Sequence, residues 1–443
     1  MGILKLKPGC KDYIWGGDRL IKEYGKEYEG TVLAETWELS CHPDGPSVIT
    51  NGVYAGWTLQ EYIDREGKTV LGTHCRRFKE FPILTKFIDA KDNLSIQVHP
   101  DNQYALKNEG QYGKTEMWYV MDAGEDAFLY YGFRREISRE EFEERIRKDT
   151  LLEVLNAVPV QKGDVLFIES GTIHAIGKNI LIAEIQQNSN VTYRVYDYGR
   201  VGKDGKKRDL HIEKALAVTR RIPIIKDNSS YPHVADCDYF TVDKLNLDGR
   251  VMEKLTGRVS EESFASILIL DGEGTIANQG ETLGYKKGDS FFLSAGSGKY
   301  TIKGTCDALI TTIREQAAQV KLGIDISGNE ARIGLVDIRQ ELMDCESVRM
   351  DNARPADELI GEIARKALAL LEKHQIPADQ CVGAGIGVPE AVDKKREIVC
   401  SPGGINWEDV DITGEIGKYL PVPVCIASNA DCAVLGAAGL LAY

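Results

Sequence analysis

Within residues 93–120, NLSIQVHPDNQYALKNEGQYGKTEMWYV, two strand-like stretches carry polar side chains where apolar ones would be expected. Side chains alternate between the two faces of a strand, so Ser95, Gln97 and His99 share one face while Ile96 and Val98 share the other. Lys114, Glu116 and Trp118 line one face of the second stretch in the same way. A barrel that turned both polar faces inward would gather an amide, an imidazole, a carboxylate and an ammonium around one cavity, and that combination can hold a metal ion. A fourth ligand is needed, and His174, presented by the turn Gly171-x-x-His174, is the best placed. Catalytic zinc takes ligands of these types, so Gln97, His99, Glu116 and His174 predict one zinc ion per chain. One carboxylate among neutral ligands leaves the centre net positive and the ion a Lewis acid. His42, His74, His211, His233 and His374 have no comparable partners and read as surface or structural residues.

Such strands need a scaffold, and the chain is long enough for about three domains at roughly 100 to 200 residues each. Residues 1–132 show no long helical period; short apolar runs broken by Gly, Pro and Asp suit strands and turns. Over 138–157 the pattern becomes helical, with capping-box pairs Ser138/Glu141 and Thr150/Glu153, which predicts two short helices inserted into the sheet. An internal repeat then emerges: Lys162-Gly163-Asp164 leading to Gly171 and His174 matches Lys287-Gly288-Asp289 leading to Gly296 and Lys299. Two related β-barrels follow from this repeat, and only the first keeps a metal-ligand type at its end. After a short polar linker at 314–319 the grammar alternates between strand and helix: a hairpin over 321–337, a helix from Pro355 to His374, a Gly-rich strand over 382–388, and a final strand and helix from Val422 onward. The predicted organisation is a catalytic domain over 1–234, a second, structural barrel over 235–316 and an α/β lobe over 320–443.

Charge narrows the partners. A formal net charge of −14 and a pI near 5.2 argue against a nucleic-acid or anionic-membrane surface, while leaving room for a small anionic substrate at local basic residues. The ten cysteines contain no C-x-x-C pair, so reduced thiols in a cytoplasmic protein are expected. The N-terminus lacks the apolar core of a signal peptide, Leu6 stands where a myristoylation signal wants Ser or Thr, and the apolar run over 432–443 is too short to span a bilayer. The oligomeric state is not readable.

Gly163-Asp164, Gly171, His174 and Asn179 resemble the second motif of the cupin superfamily. SIQVHP, GKTEMWYV and ESGTIHAIG together are similar to class I mannose-6-phosphate isomerase, and the resemblance, over about 1–313, extends to Trp15-Gly16-Gly17, Glu35-Thr36-Trp37-Glu38, Phe81-Pro82 with Lys86, and Asn190-Val191-Thr192-Tyr193-Arg194. Gln-x-His replaces the His-x-His of many cupins, as it does in that family. The resemblance implies a mainly β fold of two cupin-type barrels with a short helical insertion, of the compact bacterial form. It implies zinc on Gln97, His99, Glu116 and His174, Arg194 in the active site, and Lys114 and Ser95 close to a sugar-phosphate substrate. Interconverting mannose 6-phosphate and fructose 6-phosphate moves a proton between C2 and C1 through an enediol, which needs a base and positive charge where oxygen becomes anionic. Arg194 can supply charge beside the metal, and Lys114 can bind phosphate or relay a proton. Glu184, on the strand ILIAEIQQ, matches a family carboxylate and is the candidate base, although alternation alone does not fix its face. A non-catalytic metal cupin that senses a phosphosugar, with the last lobe as its regulatory or dimerising half, is the competing reading; the cationic Arg194 and Lys114 favour the enzyme.

Residues 322–337, LGIDISGNEARIGLVD, resemble the first phosphate-binding hairpin of the ROK (repressor and sugar kinase) family, in which an Asp-x-Gly-Gly-Thr turn lets backbone N–H groups approach ATP phosphates. Gly385, Gly387-Val388-Pro389, Asp393 and Asn406-Trp407 match further positions and imply an actin-like (ribonuclease H-like) α/β lobe. The pattern departs where chemistry should lie. Ser327 and Asn329 stand for a Gly and the Thr, Glu390 for a Gly, and Ala427-Ser428-Asn429 for the family's Glu-Asn-Asp. With no second kinase lobe after Tyr443, a degenerate, non-catalytic first lobe is expected.

Overall fold

The computed structural model describes residues 2–202, 205–224, 232–315 and 320–428, apart from short gaps at 328, 338–340, 352, 375, 389–391, 394–397, 400–406 and 408–409. The chain divides into two compact units, Met1–Glu315 and Gln316–Tyr443. The first is mainly β and of cupin type; the second is α/β.

Two antiparallel sheets build the first barrel. One runs in the order Val165–Ile168, Glu116–Ala123, Ile180–Gln187, Ile83–Ala90, Glu35–Leu39, Gly9–Lys11; the other runs Tyr193–Tyr196, Ile96–Val98, His174–Ala175, Phe128–Phe133, Leu155–Pro159. Trp118, Val120 and Ile182 of the first share one core with Leu129 of the second and with Ile176, just past its strand His174–Ala175. The far side of the six-stranded sheet is covered too, since Leu39, Ile83, Phe87, Met117 and Ile185 pack with Leu268 and Phe292 of the next sheet. Its central strands are therefore buried on both faces, which is why they read as unbroken apolar runs rather than as an alternation. Behind the five-stranded sheet the helix Arg139–Arg147 buries Phe142 and Ile146 against Phe133 and Ile96.

Only one of the two helices expected over 138–157 forms. Ser138 accepts a hydrogen bond from the Glu141 backbone N–H and starts the first. The Thr150 side chain makes no cap; residues Leu151–Glu153 form a single 3₁₀ turn, and Leu155–Pro159 is a strand paired with Phe128–Phe133. Leu152 and Leu155 mimic helical spacing only because a tight turn runs straight into a strand. Against expectation, three α-helices lie among the strands of the first 132 residues: the single turn Arg19–Lys22, Leu59–Glu66, begun by a complete capping box of Thr58 and Glu61, and Asn102–Asn108, begun by Asp101.

The repeat is real at the level of backbone turns. Gly163 and Gly288 both take positive φ, 95° and 88°. Asp164 accepts a hydrogen bond from Gln161 N, and Asp289 accepts one from Lys286 N, each at 2.8 Å. Each turn hands on to a strand of its own barrel, Val165–Ile168 or Ser290–Leu293. The second barrel is not built from its own stretch alone, because Ile3–Lys7 pairs with Ser290–Leu293 and also holds Val48–Ile49.

In the α/β unit a mixed sheet runs Leu342–Arg349, Glu330–Asp337, Val320–Ile326, Cys381–Val388, Val424–Ser428, with the last two junctions parallel. The helix Ala356–Lys373, preceded by Pro355, lays Leu359, Ile363, Ala367 and Leu370 on it at helical spacing. The strand Leu342–Arg349 and the short helix Ile412–Gly417 were not anticipated. The helix expected after Val424–Ser428, and Pro389, Glu390, Asn406, Asn429 and Asp431, lie outside the described residues. Among the described residues no helix is long and apolar enough to cross a membrane.

Candidate metal centre

Strand register brings the polar residues together. Across the five-stranded sheet Arg194 pairs with Gln97 and Gln97 with His174. Across the six-stranded sheet the row is Trp37, Lys86, Glu184, Trp118, each directly opposite the next. Gly171 N donates to the His99 carbonyl at 2.8 Å, so the turn that delivers His174 is tied to the strand that delivers His99.

His99, Glu116 and His174 are buried, and one ligand atom from each lies within 4.8 Å of the others. The His174 Nε2 is 3.3 Å from Glu116 Oε1, and His99 Nε2 is 3.6 Å from Glu116 Oε2. In both histidines Nδ1 lies 2.9 Å from a backbone carbonyl, that of Val191 for His99 and that of Thr172 for His174. A carbonyl can only accept, so each Nδ1 carries the proton and each Nε2 offers a lone pair to the centre. Burial keeps both rings neutral: it pushes the His99 pKa well down and that of His174 to about 4, with the Lys114 ammonium adding to the effect. Glu116 Oε1 has no hydrogen-bond partner although it is fully buried. Two imidazole lone pairs and an orphaned carboxylate oxygen at one point fit a divalent cation. Gln97 Nε2 lies 3.5 Å from His174 Nε2, and turning its amide over would put the oxygen there as the fourth donor.

Ammonium groups already crowd this point. Lys114 Nζ contacts Glu116 Oε2 and lies 3.3 Å from His99 Nε2 and 3.7 Å from Glu184 Oε1. Glu184 also accepts from Trp118 Nε1 at 2.9 Å and lies 3.4 Å from Lys86 Nζ. The two carboxylates part company electrostatically. Burial and the charge of Glu184 raise the Glu116 carboxyl; burial would raise Glu184 too, but the Lys114 and Lys86 ammoniums outweigh it and hold Glu184 low. Glu184 therefore turns towards the same buried cluster as Lys114 and Glu116.

Ser95 and Arg194 lie together at one end, Arg194 Nε donating to Ser95 Oγ at 3.2 Å and Nη1 to the Asp209 carbonyl at 3.1 Å. Burial, then the neighbouring Arg208, lower the pKa of Arg194 from its ordinary value. Sequence reasoning assigned no role to Lys86 or to the indoles of Trp37 and Trp118. The signal available was a lysine inside the apolar run ILTKFIDA. His42 proves buried, with its ring edge-on to Trp37.

Three regions of the chain match known families. Residues 3–123 match phosphomannose isomerase type I, catalytic domain; 230–313 match mannose-6-phosphate isomerase, cupin domain; and 321–440 match the ROK family. Mannose-6-phosphate isomerase ManA of Bacillus subtilis (strain 168) is 36% identical over 325 residues, covering 70% of this chain and 98% of that protein. A mannose-6-phosphate isomerase of Streptococcus mutans serotype c is 40% identical over 291 residues, covering 63% of this chain and 88% of that protein. A crystal structure of the mannose 6-phosphate isomerase from Bacillus subtilis superposes with a TM-score of 0.64 at 35% identity, over 70% of this chain and 99% of that one.

Proposed function

The chain belongs to the type I phosphomannose isomerase family, and on that premise we propose that it interconverts mannose 6-phosphate and fructose 6-phosphate through an enediol, with one zinc ion on Gln97, His99, Glu116 and His174. The observation that carries this reading is the pair of carbonyl-held histidines facing the orphaned oxygen of Glu116 inside the first barrel. Bound zinc would supply positive charge for the sugar oxygen that becomes anionic when the neighbouring carbon loses its proton.

The protein's own groups do the rest. Glu184 Oε1 has no hydrogen-bond partner and is kept ionised, so it can take the proton from C2 and return it to C1. As that proton moves, the one on O2 passes to O1, and the Lys114 ammonium, buried beside Glu116 and Glu184, is placed to donate to either oxygen. Lys114 is too deep in this cluster to grip a phosphate, so of its two expected roles proton relay is favoured. Phosphate suits the other end, where the Ser95 hydroxyl and the Arg194 fork stand beside Arg208. Arg194 thereby moves from oxyanion stabiliser to phosphate ligand.

We also propose that the ROK-like unit does not transfer phosphate. Ser327 turns its hydroxyl onto the Glu330 carbonyl at 2.7 Å, while its backbone N–H donates to that carbonyl at 2.8 Å, so the hairpin turn closes on itself.

The test is a coupled assay for fructose 6-phosphate formed from mannose 6-phosphate, with metal analysis before and after chelation. Activity lost on chelation and restored by zinc is expected. Full turnover in metal-free protein would overturn the zinc assignment, and no fructose 6-phosphate from metal-loaded protein would overturn the isomerase.

A further inference from the structure

Lys86 is an ammonium inside a barrel wall, 4% exposed, and its surroundings are arranged symmetrically. Its Nζ lies 3.4 Å from Glu184 Oε1 on one side and 3.5 Å from Glu35 Oε2 on the other. Beneath it is the face of Trp37, 5.0 Å to the ring centroid. Each carboxylate is fixed by an indole: Trp37 Nε1 donates to Glu35 at 2.8 Å, and Trp118 Nε1 donates to Glu184 at 2.9 Å. From Glu35 inward the buried groups alternate in charge: Glu35, Lys86, Glu184, Lys114, Glu116. Of these, Glu35 is the outermost and touches none of the proposed metal ligands.

We infer that Glu35 is a positioning residue for the isomerisation: by sharing the Lys86 ammonium it keeps that charge from closing on Glu184, and so leaves Glu184 basic enough to take a proton from carbon. The inference rests on the isomerase reading and on Glu184 as the base. The physical argument is one of competition. A carboxylate clamped between two ammoniums is ionised but a poor proton acceptor, because proton uptake would leave both cations short of a partner. At nearly equal distances, Glu35 takes part of the Lys86 interaction away. Without the charge on Glu35, Lys86 has one carboxylate left to pair with, and a buried ammonium closes on it because an unpaired charge there is costly.

Three variants test this, each assayed as full-length, zinc-loaded protein alongside the wild type. Glu35→Gln keeps the size and the acceptor for Trp37 Nε1 and removes only the charge. Its kcat should fall at least about tenfold while KM stays within about twofold, since Glu35 does not reach the substrate. Glu35→Asp keeps the charge but shortens the side chain, and it should retain more kcat than Glu35→Gln. A packing role gives the opposite order, because the isosteric amide would then be the milder change. Trp37→Phe removes the N–H that aims Glu35 and should lower kcat by an intermediate amount; it decides the matter if Glu35→Gln does not fold. Wild-type kcat in Glu35→Gln, or a lower kcat in Glu35→Asp than in Glu35→Gln, overturns the inference and leaves the isomerase reading intact. A wild-type protein without zinc-dependent isomerisation overturns both.

Discussion

The two barrels of the first unit share a backbone device and differ in what it frames. In each, an Asp carboxylate and a positive-φ Gly close the same turn and hand on to a strand that pairs within its own barrel. In the first, that strand runs against Glu116–Ala123, and the centre beyond holds Glu116, Glu184, Lys86, Lys114 and two histidines, all buried. In the second, the partner strand is Ala265–Asn278, and the interior is Ile267, Ile269, Phe291, Leu293, Ile302 and Ala308. The counterpart of His174 there is Lys299, whose side chain points to solvent. The turn sets the frame and is indifferent to the contents. Burying ions is the expensive alternative, and the first barrel manages it by alternating charges, so that no buried cation lacks a carboxylate.

The largest test of this difference removes one ligand. His99→Ala or His174→Ala should lose bound zinc and drop turnover by more than about 10³-fold, because the remaining donors leave an open, weak site. Metal analysis and the coupled assay read both. Lys299→His, the matching change in the second barrel, should bind no zinc and leave turnover alone, since no carboxylate and histidine converge on it; zinc uptake by that variant would break the comparison.

Within the first barrel the two cationic groups should separate kinetically. Lys114→Ala should lower kcat by roughly 10²-fold or more, the scale of a lost proton donor, with a smaller change in KM. Arg194→Ala should chiefly raise KM, by about tenfold or more, while zinc stays bound. The reverse pattern would return Arg194 to the oxyanion and Lys114 to the phosphate.

A smaller effect follows from the neutral histidines, in zinc-free protein. Burial disfavours the imidazolium and pushes the pKa of His174 in the folded chain down from its ordinary 6.5 to about 4. Between those values the unfolded chain binds a proton that the folded one refuses, so stability rises with pH through this window. Chelated protein should therefore lose stability as the pH falls from about 6.5 towards about 4, and His174→Gln should flatten that slope. Denaturant melts at several pH values would show it; equal slopes for both proteins would exclude His174 as the source.

How much of this the sequence disclosed depended on which strands alternate polar with apolar residues. Ser95, Gln97 and His99 stood out because their strand alternates, and a glycine turn made His174 legible. Lys86 and Glu184 sit on strands buried on both faces, where every position is apolar or functional and alternation carries no information. Their meeting is a matter of register, Lys86 opposite Glu184 and Glu184 opposite Trp118, which only pairing reveals. Leu152 and Leu155 misled for a local reason: four residues cannot distinguish a helix from a turn entering a strand. The capping box of Thr58 and Glu61 was present in the sequence, but its helix is only eight residues long and leaves little period to detect.

The smallest expected effect concerns the second unit. All the residues proposed for the centre lie within Met1–Glu315, and every sheet of that unit is made of its own strands. A chain ending at Glu315 should therefore keep kcat and KM within about twofold of the full-length values. The ROK-like unit should not phosphorylate glucose or mannose with ATP. In the family it resembles, a carboxylate at the aligned position takes the sugar hydroxyl proton; here that position is Asn429, whose amide cannot accept a proton at neutral pH. Asp431 lies two residues further on, a shift of several Å along the chain, whereas a base must come within about 3 Å of its donor. At the hairpin, Asn329 replaces the Thr of the phosphate turn, and Ser327 is engaged by Glu330. ATP-dependent sugar phosphorylation by the purified protein, abolished by Asp431→Ala, would show that the carboxylate had been replaced two residues along rather than lost.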